Sequence, residues 1–231
     1  MGTGMIGMLW IIFIGIAVVS WLVQMNLQNK FKKYSKIPTG NGMTGADEAM
    51  KKLHDNGIYD VTEPHTPRHL TDHYNPANKT VNLSESVYSS NSIMAAAVAA
   101  HECGHAVQHA RAYAPLTMRS KLVPVVSFAS QWMTWLLLAG ILMLNSFPQL
   151  LLAGIILFAL TTLFSFITLP VEINASKRAL VWLSNSGITN SYNHAQAEDA
   201  LRSAAYTYVV AALGSLATLI YYIMIFLGRR D

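Results

Sequence analysis

The sequence predicts a mainly α-helical integral membrane protein with about four transmembrane helices and a small α+β subdomain on the cytoplasmic side. Only 12% of the 231 residues are charged and 52% are hydrophobic, whereas a soluble domain carries about 25% charge. The deficit is concentrated in four uncharged runs, 5–25, 122–144, 147–171 and 203–227. At about 1.5 Å per residue, each can cross a hydrocarbon layer of about 30 Å. The flanking charge is also uneven. Lys30, Lys32, Lys33 and Lys36 follow the first run, Arg111, Arg119 and Lys121 precede the second, and Lys177, Arg178 and Arg202 lie between the third and fourth. The opposite side holds only Arg229 and Arg230. Cytoplasmic loops carry the excess of Lys and Arg, so the N-terminus is expected outside, with 26–121 and 172–202 in the cytoplasm.

The first run reads as a retained helix. No Lys or Arg precedes Lys30, and a cleaved signal peptide needs a basic start and a small-residue cleavage site. Asn145-Ser146 separates the second and third runs, and Pro148 opens the latter, so the two are expected to form a helical hairpin. Between the first two runs, Thr44-Gly45-Ala46-Asp47 resembles a helix N-cap, and Gly57 stops a helix over 45–56. Residues 58–61 read as a short strand. His73-Tyr74 and Thr80-Val81-Asn82-Leu83 flank an Asn75-Pro76-Ala77-Asn78 turn, which predicts a hairpin. An alanine-rich helix is expected over 93–111, limited by Pro115.

The formal charge of +4 belongs to membrane flanks, with no basic, aromatic-studded stripe for nucleic acid. The lipid bilayer is the expected partner. The single cysteine, Cys103, cannot form an internal disulfide. It reads as a small apolar helix residue.

The alanine-rich helix contains His101-Glu102-Cys103-Gly104-His105, an HExxH pattern. Residues four apart share a helix face, so both imidazoles can reach one zinc ion at about 2.0–2.1 Å. Glu102 sits one step round, beside the metal, where its carboxylate can act as general base on a water. Burying these groups without a partner would cost several kcal/mol, and zinc supplies the partner. A catalytic site needs a third protein ligand and an open fourth position. His109 shares the face but lies two turns from His101, about 11–12 Å along the axis. Glu172 is the better candidate. Following Pro170 at the end of an uncharged run, it is either a solvated charge or a ligand. A second helix is expected to begin at Val171 and stop near Gly187. The three-residue step from Glu172 to Ala175 would put the acid toward the zinc and a small residue against the HExxH helix. His54 reads as solvated. His65, His69 and His73 are four apart, but Pro64 and Pro67 break any helix there. His194, Arg178 and Tyr88 are conceivable donors to an oxyanion.

These residues resemble the YugP-type family of neutral zinc metallopeptidases of bacterial membranes. The resemblance rests on Thr71-Asp72-His73-Tyr74-Asn75-Pro76, on Val81-Asn82-Leu83-Ser84, and on the run from Val98 through His101-Glu102-Cys103-Gly104-His105 to Gln108. It continues in Leu169-Pro170-Val171-Glu172-Ile173-Asn174-Ala175-Ser176 and Arg178-Ala179-Leu180. It covers most of the chain from about residue 30 to the fourth run. It implies zinc ligands His101, His105 and Glu172, with Glu102 catalytic, in a zincin-like subdomain. The sequence also looks like the wider glutamate-ligand zincins, including membrane proteases of the HtpX and CAAX-processing kind. Many of these place an Asp shortly after the ligand glutamate to orient a histidine, whereas the fourth position on is here Ser176.

The expectation is therefore a multi-pass cell-membrane zinc endopeptidase acting on protein or peptide substrates, membrane proteins among them. The alternatives are a zinc-holding adaptor or quality-control factor without catalysis, and a site-2-type intramembrane protease. The apolar stretch around the motif is too short for the latter, and the long runs bring no aspartate. The strand at 80–84 is a candidate edge for an extended peptide.

Overall fold

The computed structural model describes residues 3–66 and 71–228, with side chains described from residue 11 onward except that of Thr66. Pro67, His69, Arg229 and Arg230 lie outside the described residues. The elements run α1 (Thr3–Tyr34), α2 (Gly45–Asp55), β1 (His65–Thr66), β2 (His73–Asn75), β3 (Thr80–Ser84), α3 (Glu85–Tyr88), α4 (Ile93–Ala110), α5 (Ala114–Leu142), α6 (Gln149–Asn185) and α7 (His194–Leu227). Four of them, α1, α5, α6 and α7, are long and apolar enough to cross a membrane.

The chain divides into two compact units. One comprises Met1–Leu22, Met118–Leu169 and Thr207–Asp231. It is built from lengths of α1, α5, α6 and α7, and it presents large apolar side chains outward, among them Ile11, Phe128 and Trp135. A surface of this kind suits lipid rather than water. Inside it, Leu137, Leu151 and Ile155 form a core joined by Phe158 and Tyr222. A Cβ on Gly140 would sit 2.4 Å from Leu151 Cα, so glycine there permits close helix approach.

The other unit comprises Val23–Thr117 and Pro170–Tyr206. Its α2 begins with a capping box, in which the Thr44 side chain accepts from Asp47 N–H and Asp47 accepts from Thr44 N–H. Gly57, at φ +74°, lies two residues beyond α2. The sheet has the order β1-β3-β2. β2 and β3 pair antiparallel, with His73 opposite Asn82 and Asn75 opposite Thr80, as the turn residues predict. Helix α4 is buried on almost every side because alanine dominates it. Ala95, Ala99, Cys103 and Ala106 join Ala49, Leu53, Val81 and Leu83 in one cluster. Ala96, Ala97 and Ala100 join Ala179, Leu183, Ala197 and Leu201 in another. A helix apolar all round is a core helix.

Three expectations need correction. Residues 58–61 form no strand. The bridge lies at Thr62, and the parallel partner of β3 is His65–Thr66. Strand β3 is central in the sheet, so it offers no free edge. No new helix begins after Pro170, because α6 runs unbroken to Asn185 with Pro170 inside it. A proline removes one donor and costs about 3 kcal/mol in a helix interior, but the buried Val171, Ala175, Ala179 and Leu183 on its far side hold the helix together.

Candidate metal centre

His101 and His105 lie one turn apart on α4, with ring centroids 4.9 Å apart and ring planes nearly perpendicular. Gly104 stands between them in sequence. A Cβ there would lie 2.8 Å from Ala175 O, so only glycine lets α6 approach α4 this closely. Ala175 is fully buried against it, as the spacing from Glu172 predicts. Glu172 is thereby turned onto the imidazoles. Its Oε2 lies 3.3 Å from His101 Nε2 and 3.4 Å from His105 Nε2. Charge-assisted N–H···O bonds favour about 2.7–2.9 Å. A tetrahedron with about 2.0–2.1 Å from centre to corner, as around zinc, has edges of about 3.3–3.4 Å. The three side chains are 3–13% exposed, and their ligand atoms all lie within 4.8 Å of one another. Two imidazole nitrogens and one carboxylate oxygen in that spacing fit a zinc ion with one position left open.

The remaining ring nitrogens are also held. His101 Nδ1 lies 3.1 Å from Ser176 Oγ, and His105 Nδ1 lies 3.1 Å from Gln108 Oε1. The Gln108 amide is oriented by its own donor, since Nε2 donates to Val171 O and Asn174 Oδ1. Its Oε1 can only accept, so His105 places a proton on Nδ1, and Nε2 faces Glu172, offering a lone pair to a metal when the ring is neutral and donating to the carboxylate when it is charged. Asn174 Oδ1 also accepts from Arg178 Nε at 2.7 Å. Ser176, four residues beyond Glu172, thus holds the outer nitrogen of His101.

Burial opposes charging of His105, but the hydrogen bond to Glu172 and the charges of Glu102 and Glu172 outweigh it and raise its pKa. Glu102 is half-buried, and its Oε2 accepts from Tyr74 N–H on β2 at 3.2 Å. Asp72 accepts from the backbone and hydroxyl of Ser84, tying the approach of β2 to the end of β3. Burial pushes the Cys103 thiol up to about 12. Its Sγ faces Ala49 O, the setting of an inert packing residue.

The other candidates fall outside this cluster. His109 is exposed, with Nδ1 2.8 Å from the Tyr74 hydroxyl. His54 stacks on Tyr59. His65 pairs with Glu85 and packs beside Tyr88. His73 Nδ1 meets Thr71 O, and His194 Nδ1 meets Thr189 Oγ1. Sequence reasoning gave no role to Gln108 or Asn174. The three-residue step from His105 to Gln108 was the available signal.

The chain matches the model of the family described as "Putative neutral zinc metallopeptidase" over residues 9–227. It is 44% identical over 222 residues to the "Putative membrane protease YugP" of Bacillus subtilis (strain 168), covering 95% of this chain and 98% of that protein. No solved structure matches it. With a candidate metal-holding trio in place and a family match that spans nearly its whole length, the chain belongs to the family described as "Putative neutral zinc metallopeptidase".

Proposed function

We propose that the chain is a membrane-bound, zinc-dependent endopeptidase, with His101, His105 and Glu172 as zinc ligands and Glu102 as general base. The observation that carries this reading is the pair of 3.3 and 3.4 Å separations between Glu172 Oε2 and the two Nε2 atoms. Zinc bound there would polarise the scissile carbonyl and acidify a water. Glu102 takes the proton of the attacking water and passes it to the leaving amine. Tyr74 N–H fixes one oxygen of Glu102 and leaves the other for the water. Gln108 holds His105 in the tautomer that presents Nε2, and Ser176 holds the ring of His101 in orientation.

The substrate is a protein or peptide in extended form. With β3 enclosed in the sheet, β2 is the strand beside Glu102 and the better template for peptide pairing. The excess of Lys and Arg in 26–121 and 172–202 supports a multi-pass protein whose site faces the cytoplasm, with spans near 5–25, 122–144, 147–171 and 203–227.

Purified Glu102→Gln protein tests the reading. The variant should retain zinc while cleavage of an unstructured polypeptide falls at least about 100-fold. Undiminished cleavage by the zinc-loaded variant would overturn it. A non-catalytic zinc-holding adaptor would lack cleavage in the native chain as well.

A further inference from the structure

A groove of about 380 Å³ opens on α2, the end of α4 and α6, within the unit that carries the metal centre. Its lining includes Lys52, Arg111, Lys177 and Arg178, with Asp55 as the single carboxylate. That carboxylate is already engaged, accepting from Lys51 Nζ and Trp182 Nε1. Among the described residues, none of the four cations forms an ion pair with a carboxylate.

Lys52 is the most telling of them. It is 1% exposed, yet among the described residues its Nζ meets only Ala100 O, at 2.5 Å, and the face of the Trp182 ring. An ammonium has three donors and, when buried, needs a counter-charge. Burial holds its pKa down at about 8, and an anion in the groove would reverse that pressure. Arg178 spends Nε on Asn174 and Arg111 spends one nitrogen on Asn56, leaving donors of both guanidinium forks for a ligand. Cations from three helices around one cavity favour a group with several charged oxygens over a single carboxylate.

We propose that this groove binds a phosphate group, from a phospholipid headgroup or from free phosphate, through Lys52, Arg111, Lys177 and Arg178. Lys52 is too deeply packed to be the test variant. Lys177 and Arg111 are exposed, so the double variant Lys177→Gln, Arg111→Gln should fold. The full chain in detergent is melted with inorganic phosphate and with chloride at matched ionic strength. The same protein is placed in nanodiscs of phosphatidylcholine with and without phosphatidylglycerol, and retained lipid is counted by native mass spectrometry. A phosphate-specific rise in Tm of more than about 2 °C in the native chain, absent from the variant, assigns the site to free phosphate. Retention of phosphatidylglycerol at least about tenfold above the variant assigns it to lipid, a difference of about 1.4 kcal/mol. No difference between native chain and variant in either experiment overturns the proposal.

Discussion

The two units use their polar side chains in opposite ways. In the unit built only from the long apolar helices, Ser130, Thr162, Ser165 and Thr218 donate back to carbonyls four residues earlier in their own helix. Thr162 with Ser215 and Thr161 with the Met133 sulfur join neighbouring helices there. In the unit that carries the metal centre, the side chains of Lys52, Glu102, His101 and Gln108 instead bond to residues 28–75 positions away. A bilayer supplies no hydrogen bonds, so a polar side chain among spans is satisfied locally. A site needs groups from distant segments held in one geometry, and cross-element bonds provide that.

The largest effect that would sharpen this contrast is Glu172→Ala. Zinc affinity should fall by more than about 100-fold, beyond the 10–100-fold expected for an outer hydrogen-bonding partner. Stoichiometric zinc retained by the variant, measured by elemental mass spectrometry, would remove Glu172 as a ligand. Gly104→Ala should cost about 1–3 kcal/mol, because the new methyl meets the α6 backbone. Gly15→Ala, with nothing within 4 Å, should leave Tm unchanged or slightly raised. Equal melting shifts for the two would break the contrast. Gln108→Ala should loosen zinc by about 10–100-fold in competition with a chelator.

Glu48 gives a pH-dependent test. It is fully buried, and neither carboxyl oxygen meets a hydrogen-bonding partner among the described residues. Burial raises its pKa from 4.5 to about 8. Between those values the folded chain holds a proton that the unfolded chain has lost. This contribution is therefore full below about 4.5 and is lost as pH rises through about 8. Glu48→Gln should be more stable relative to the native chain at pH 8.5 than at pH 4.5. Parallel melting curves at the two pH values would refute it. The smallest effect compares two threonines. Thr44→Ala removes a cap and should cost about 1 kcal/mol. Thr218→Ala removes only a bond to its own helix and should cost under about 0.5 kcal/mol.

Much of this site was legible as spacing. His101 and His105 are four apart on a helix whose alanine content could be read directly, and the Thr44 cap, Gly57 and the Asn75–Asn78 turn marked real boundaries. The unread parts were non-local. Pro170 reads as a break in the sequence, but packing beyond it carries α6 through. The strand expected at 58–61 yielded to pairing at Thr62 and His65, because the partner edge of β3 selects which residues pair. Ser176 gained its role, and the Gln108 amide its fixed orientation, from the closeness of α4 and α6, which no periodicity encodes.

The sequence by itself determined the lengths of the apolar runs, the caps and the imidazole pair, because each depends on residues within a few positions of one another. The tertiary structure alone decided that Glu172 Oε2 stands opposite both Nε2 atoms and that Ser176 meets His101 Nδ1. Those distances depend on how near two helices can pack, and the missing Cβ at Gly104 against Ala175 O sets that limit.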